Sequence, residues 1–196
     1  MNTSEFTQEE VYYPKKKKII YAGNLGLYRH RSLIEFATAL QQVDPELKID
    51  VYGKIPDETV KKELCACQSI RFQGFISYEK LKKELRESKY LLHVESFDLF
   101  YKEDLKYAFS TKIADSLASG ACLFVYAPEN MAISQYLKDK NAAVLINKSE
   151  LLVTKIRSIL NSEELTKNYS CNGRKLAEIN HNIEKNKKKF VESLLK

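Results

Sequence analysis

The sequence predicts a doubly wound α/β domain, with a mostly parallel six-stranded sheet and a helical C-terminal extension. Three observations carry that prediction. Short apolar runs alternate with longer amphipathic stretches along most of the chain. The runs are apolar at nearly every position, as strands are when helices cover a sheet on both faces. Most runs close on a glycine, a proline or a polar turn.

Taken in order, residues 1–14 are polar and irregular and read as a linker. Lys17–Ala22 is the first strand, ending at Gly23. Arg31–Val43 is a helix with Leu33, Ile34, Ala37, Leu40 and Val43 on one face, stopped by Asp44-Pro45. Leu47–Tyr52 is the second strand, followed by a helix over Asp57–Cys67. Ile70–Phe75 is the third strand, followed by a Glu- and Lys-rich helix over Tyr78–Arg86. Tyr90–Val94 is the fourth strand, and Ser96–Ala108 is a long aromatic and charged loop with room for a helical turn. Thr111–Ala118 is a helix opened by Ser110 and closed by Gly120. Cys122–Tyr126 is the fifth strand, Met131–Lys138 a helix, and Ala142–Ile146 the sixth strand. From about residue 149 the chain reads as helical, with Asn172-Gly173 expected to break it in two.

Composition narrows the function. The chain has 196 residues, 44% hydrophobic and 30% charged, which suits a folded domain rather than disorder. The net charge is +6, but residues 151–196 hold 10 basic and 5 acidic side chains, so the basicity is local. A basic face spread over the fold, as nucleic-acid binding needs, is not indicated. No apolar run approaches the ~18–20 residues of a membrane span, and the opening residues lack a secretory signal pattern. A cytoplasmic protein is expected. Cys65, Cys67, Cys122 and Cys171 make no disulfide framework, and no histidine stands at metal-ligand spacing from Cys65 and Cys67, so no metal site is expected.

In a parallel sheet, ligands bind beyond the carboxyl ends of the strands. The loop after the first strand reads Gly23-Asn24-Leu25-Gly26-Leu27-Tyr28-Arg29-His30-Arg31. Its glycines allow close backbone approach, and Arg29 and Arg31 favour phosphate. It departs from the dinucleotide fingerprint in glycine spacing, and the second strand ends in Tyr52-Gly53-Lys54 without the acid that fingerprint needs. The helix start Ser110-Thr111-Lys112 is the most informative stretch. Ser110 or Thr111 offers a capping hydroxyl, yet Lys112 places a cation where the helix end is already positive. A bound anion would remove that conflict. Asp115, one turn on, is placed to accept hydrogen bonds from sugar hydroxyls or to pair with Lys112. His93 reads as a structural histidine near a strand end.

Three segments, read in order, carry a resemblance: Lys18–Gly26 (KIIYAGNLG), Ile70–Ser77 (IRFQGFIS) and Phe109–Pro128 (FSTKIADSLASGACLFVYAP). With the terminal helical stretch, they resemble the C-terminal, nucleotide-sugar-binding domain of GT-B glycosyltransferases, a Rossmann-like half. The similarity is to the large retaining group 1 (family 4-like) enzymes of bacterial polysaccharide synthesis, and it spans about residues 15–196. The resemblance implies that Gly23, Asn24 and Gly26 lie against diphosphate and sugar. It also implies that Gly74, Phe75 and Ile76 present backbone to the base, and that Ser110, Thr111 and Lys112 hold the diphosphate. Asp115 matches the second acid of the family's E-x7-E element, which holds the ribose. The first acid falls at Tyr107 and is absent, with Glu103 or Asp104 as candidate substitutes. The family's basic pair is matched loosely by Arg29 or Arg31 and by Lys54.

The resemblance therefore implies the donor-binding half of an enzyme that moves a sugar from a nucleoside diphosphate sugar, UDP foremost, to a glycan or lipid-linked acceptor. It also implies a partner acceptor-binding N-terminal domain. Met1-Asn2-Thr3-Ser4-Glu5-Phe6 resembles the end of that family's interdomain linker. With no Asp-x-Asp pair in the chain, leaving-group stabilisation without a metal is expected, and no cofactor. No residue is singled out as catalytic. Two other classes remain: a non-catalytic nucleotide- or sugar-phosphate-binding module, and a flavodoxin-like signalling domain, which the absence of an acidic cluster after the first strand disfavours. Lys185, Lys187, Lys188 and Lys189, interleaved with Ile183, Phe190, Leu194 and Leu195, suggest a cationic helix with an apolar seam. The resemblance implies that this terminal helix crosses back toward the N-terminal domain. Its seam is then expected to face that partner, and its lysines to meet anionic lipid at the inner membrane face peripherally. The alternative is a solvated face on a packed helix.

Overall fold

The computed structural model describes residues 15–107 and 109–194, so the expected linker over residues 1–14 lies outside the described residues. Within them, strands and helices alternate: β1 (Lys16–Ala22), α1 (Arg29–Val43), β2 (Ile49–Tyr52), α2 (Glu58–Ala66), β3 (Ile70–Gly74), α3 (Tyr78–Glu87) and β4 (Ser88–Val94). Then come α4 (Lys102–Lys106), α5 (Lys112–Ala118), β5 (Cys122–Tyr126), α6 (Ala132–Leu137), β6 (Val144–Ile146), α7 (Leu152–Leu160), α8 (Glu163–Asn180) and α9 (Ile183–Leu194).

Every strand pair is parallel, in the order β3-β2-β1-β4-β5-β6. From β1 in the middle of the sheet, the strands build to one edge, then cross back and build to the other. The direction reverses between β1 and β4, which lie side by side. Alternation along β1 divides the core: Ile19 and Tyr21 join Leu33, Phe36, Leu64 and Ile156 on one face. Ile20 joins Ile113, Leu117, Ile133 and Ala177 on the other. The sheet is thus covered by α1, α2 and α7 on one side, and by α3, α5, α6 and α8 on the other.

Three expectations need correction. β3 is not apolar throughout: Arg71, Phe72 and Gln73 are exposed, because β3 is an edge strand. Asp50, buried on β2, accepts two hydrogen bonds from Arg71 at 2.9 and 3.0 Å and one from Gln73 at 3.0 Å, tying that edge down. Asn172-Gly173 does not break the C-terminal stretch; α8 runs straight through it. A Cβ on Gly173 would lie 3.0 Å from the Ala142 carbonyl oxygen and 3.3 Å from Leu117, so the glycine marks close helix packing. The actual breaks fall at Ser162, whose hydroxyl accepts from Leu165 N–H at 3.2 Å, and after Asn180. The start of α5, at the strand-end cleft, also departs from the expected hydroxyl cap.

The expected helical turn in the loop after β4 is present, as a 3-10 turn at Leu99–Tyr101 leading into α4. Along α9, Phe190, Val191 and Leu194 are exposed and Ile183 is half-buried, while Leu195 lies outside the described residues. Among the described residues, no helix is long and apolar enough to cross a membrane.

Candidate functional site

The carboxyl ends of the strands are laced together by backbone hydrogen bonds that continue the sheet into its loops. Gly23 N–H donates to Tyr52 O at 3.0 Å, Gly53 N–H to Gly74 O at 3.0 Å, and Glu95 N–H to Tyr126 O at 3.0 Å. Gly53 is a required glycine, since a Cβ there would lie 2.2 Å from the Gly23 carbonyl oxygen. The loop after β1 is shaped from within. The Tyr21 hydroxyl donates to Asn24 O at 3.0 Å, and Asn24 Oδ1 accepts from Gly26 N–H at 2.8 Å. The loop then passes through Leu27 and Tyr28 at positive φ (55° and 59°) before α1 begins at Arg29.

Two cavities open on this edge. One, of about 320 Å³, lies over the junction of β1 and β4; Gly23, Asn24, Arg29, His93, Glu95, Ser110, Thr111 and Lys112 are in its wall. The other, of about 360 Å³, lies over β1 and β2; Gly23, Asn24, Gly53, Lys54, Phe75, Ile76 and Lys112 are in its wall. Ala22, Gly23, Asn24 and Lys112 are common to both. The two are lobes of one cleft, with Lys112 at the divide, at the point where the winding of the sheet reverses.

Most predicted residues therefore converge. Gly23, Asn24, Arg29, Ser110, Thr111 and Lys112 meet in the first lobe; Lys54, Phe75 and Ile76 in the second. Four do not reach a lobe wall. Gly26 shapes the loop through Asn24. Arg31 lies over the Tyr28 ring at 3.9 Å and faces Asp98 at 3.7 Å. Gly74 accepts the Gly53 N–H. Asp115 is buried and accepts from the Tyr78 hydroxyl at 3.2 Å. The capping expectation is corrected: neither Ser110 nor Thr111 caps α5 through its hydroxyl, and the Ser110 carbonyl instead accepts from Ile113 N–H at 3.1 Å. Lys112 is nonetheless the first residue of α5.

Among the wall residues that were not foreseen, one is acidic. Glu95 follows the end of β4 and is only 4% exposed. Its Oε2 accepts from Arg29 Nε at 2.7 Å, and its Oε1 lies 3.1 Å from His93 Nε2. Burial alone would raise the Glu95 carboxyl, but the hydrogen bonds and charges of His93 and Arg29 outweigh it and hold the group below its ordinary value. Glu95 is thus an anion inside the cleft wall. The sequence carries a signal for it: His93 and Glu95, two apart at the end of an apolar strand, point to the same face. Tyr107, at the position of the family's first acid, is 79% exposed and stands in neither lobe wall; nor does Glu103, which is exposed.

Comparison with known proteins agrees with this geometry. The sequence pattern of the family described as Glycosyl transferase-like matches residues 29–192. No curated protein matches the chain. Among solved structures, a TarM variant from S. aureus, in complex with fondaparinux, alpha-GlcNAc-glycerol and UDP, superposes with a TM-score of 0.70 at 15% identity. That match covers 92% of this chain and 36% of TarM. The C-terminal domain of the group 1 glycosyl transferase LpcC from Francisella tularensis gives 0.66 at 17% identity, covering 93% and 99%. Anabaena HepE, in complex with UDP and glucose, gives 0.74 at 10% identity, covering 99% and 55%. The chain thus spans about a third of TarM, about half of HepE and nearly all of the LpcC domain. A doubly wound sheet, a cleft at its reversal point and a family match over most of the sequence place the chain in the glycosyl transferase-like family, as a GT-B glycosyltransferase domain.

Proposed function

We propose that the cleft binds a nucleoside diphosphate sugar, UDP-linked foremost, and that the chain is the donor-binding half of a transferase acting on a glycan or lipid-linked acceptor. The observation that carries this reading is the two-lobed cleft itself, divided by Lys112 and lying over the β1–β4 junction. A diphosphate at Lys112 has room for its sugar in the lobe of Arg29 and Glu95 and for its nucleoside in the lobe of Lys54 and Phe75. Phe75, 75% exposed, offers its ring to a base. A ribose reaching Asp115 takes the place of the Tyr78 hydroxyl. That TarM and HepE were solved with UDP supports the same assignment.

As the sugar bond breaks, charge builds on the departing diphosphate and must be stabilised. Arg29 and Lys112 supply that charge from the protein, and the reading needs no metal. A second domain supplies acceptor binding, and the reaction takes place on the cytoplasmic side. Calorimetry with UDP, GDP and ADP, with and without magnesium, tests the reading. UDP is expected to bind in both conditions. No binding at millimolar nucleotide would overturn it, and a strict magnesium requirement would remove its metal-free part. The exposed Tyr107 favours one alternative, a binding module without turnover. Transfer on adding an acceptor domain separates the two.

A further inference from the structure

Arg29 stands at an awkward place. It is the first residue of α1, where the helix end is already positive, and the first turn of α1 carries no acidic residue. A guanidinium there gains by turning to water unless an anion holds it. That anion comes from across the winding reversal. Glu95 is fixed by its backbone bond to Tyr126, and its two oxygens engage Arg29 Nε at 2.7 Å and His93 Nε2 at 3.1 Å. All three side chains are in the wall of one lobe.

We propose that Glu95 is a positioning residue: its buried carboxylate clamps Arg29 and His93 into the cleft wall, and nucleotide affinity depends on that clamp. The proposal rests on the nucleotide-sugar reading above. The charge of Glu95 works against the site, because a carboxylate inside the cleft repels a diphosphate. The clamp works for it, because a guanidinium held through Nε keeps further N–H donors in its planar fork for phosphate oxygens. Removing the carboxylate loses both effects. Which one dominates depends on whether Arg29 is present to be positioned, so the sign of the Glu95 effect depends on Arg29.

The test is a UDP titration of wild type, Glu95→Gln, Arg29→Ala and the double variant, each checked for folding by circular dichroism. Glu95→Gln is expected to weaken UDP about tenfold in the wild-type background. In the Arg29→Ala background it is expected to leave affinity unchanged or to tighten it. Glu95→Asp, which keeps the charge but shortens the reach, is expected to weaken UDP as well. Equal weakening in both backgrounds, or tighter binding by Glu95→Gln alone, overturns the proposal. The clamp also has a readout that needs no nucleotide. The Arg29 Nε–H resonance is expected to be slow in exchange in wild type and fast in Glu95→Gln. If exchange is the same in both, the clamp is refuted whatever UDP does. If the resonance is protected but wild type does not bind UDP, the nucleotide reading fails and the affinity role falls with it.

Discussion

Buried anions next to cations tie stability to pH, and Glu95 is the clearest case in this chain. Its folded carboxyl lies below the ordinary value of 4.5, because His93 and Arg29 outweigh the effect of burial. A group with a lowered folded pKa stabilises the fold above its unfolded pKa, and the contribution fades as pH falls through the folded value. Glu95→Gln is therefore expected to lose stability at about pH 7 and to differ less from wild type at about pH 3.5, read by urea unfolding at each pH. Equal offsets at both would show that packing, not charge, explains the loss. Gly53 tests a different contact. Gly53→Ala would drive a methyl group into the Gly23 carbonyl oxygen, a backbone atom with little freedom to yield. A loss of about 1–3 kcal/mol is expected, as for other overpacked sites, with weaker nucleotide binding because the shared wall of both lobes moves. Residue types at the strand ends were legible from the sequence, and Gly23, Asn24, Arg29 and Lys112 do meet. The partners were not. That Asp115 would hold Tyr78, or that Glu95 would hold Arg29, depends on contacts 37 and 66 residues apart, which local pattern does not encode.

Secondary-structure elements were readable to the extent that burial drove their pattern. β1, β4 and β5 announced themselves because both faces are covered, whereas β3 is an edge strand whose polar residues face solvent or Asp50. α8 was misread because a glycine required for packing looks, in sequence, like a glycine required for a turn. Gly173 lies under Ala142 and Leu117, and only the neighbouring segments show it. α9 is amphipathic as expected, but its seam is not packed on the domain: Phe190 is 64% and Leu194 69% exposed. Exposed positions contribute little to folding, so Phe190→Ser with Leu194→Ser is expected to change stability by less than about 0.5 kcal/mol. The exposed Lys185, Lys187 and Lys188 beside the seam are expected to meet anionic lipid. Co-sedimentation with anionic but not neutral vesicles is expected for the parent chain, and its loss in the double variant. Recovery of the parent in the supernatant with both vesicle types would leave the lysines as a solvated face.

For the molecule as a whole, strand number, parallel pairing and two-sided covering followed from sequence, and so did the edge of the sheet that carries the site. The order of strands did not, although the site depends on it: only the adjacency of β1 and β4 puts Gly23 and Glu95 around one cavity. The cleft opens on the strand ends, and on the proposed reading a second domain would orient the acceptor there. Orientation of two reactants contributes several kcal/mol to lowering a transfer barrier. The chain alone is therefore expected to bind donor and to transfer nothing, with activity returning when an acceptor domain is supplied. Turnover onto an acceptor by residues 1–196 alone would contradict this. The position of Lys112 on the divide between the lobes has one more consequence, for how ligand fragments combine. On the proposed reading, uridine would take one lobe and a sugar phosphate the other, and each alone would have to order the same lysine. A ligand that spans both lobes orders it once. The free energy of binding the joined ligand should therefore exceed the sum for its halves, and replacing Lys112 with alanine should erase much of that excess along with about 1–3 kcal/mol of diphosphate binding. On that reading, the Lys112 ammonium would make the two lobes hold a nucleotide sugar as one ligand.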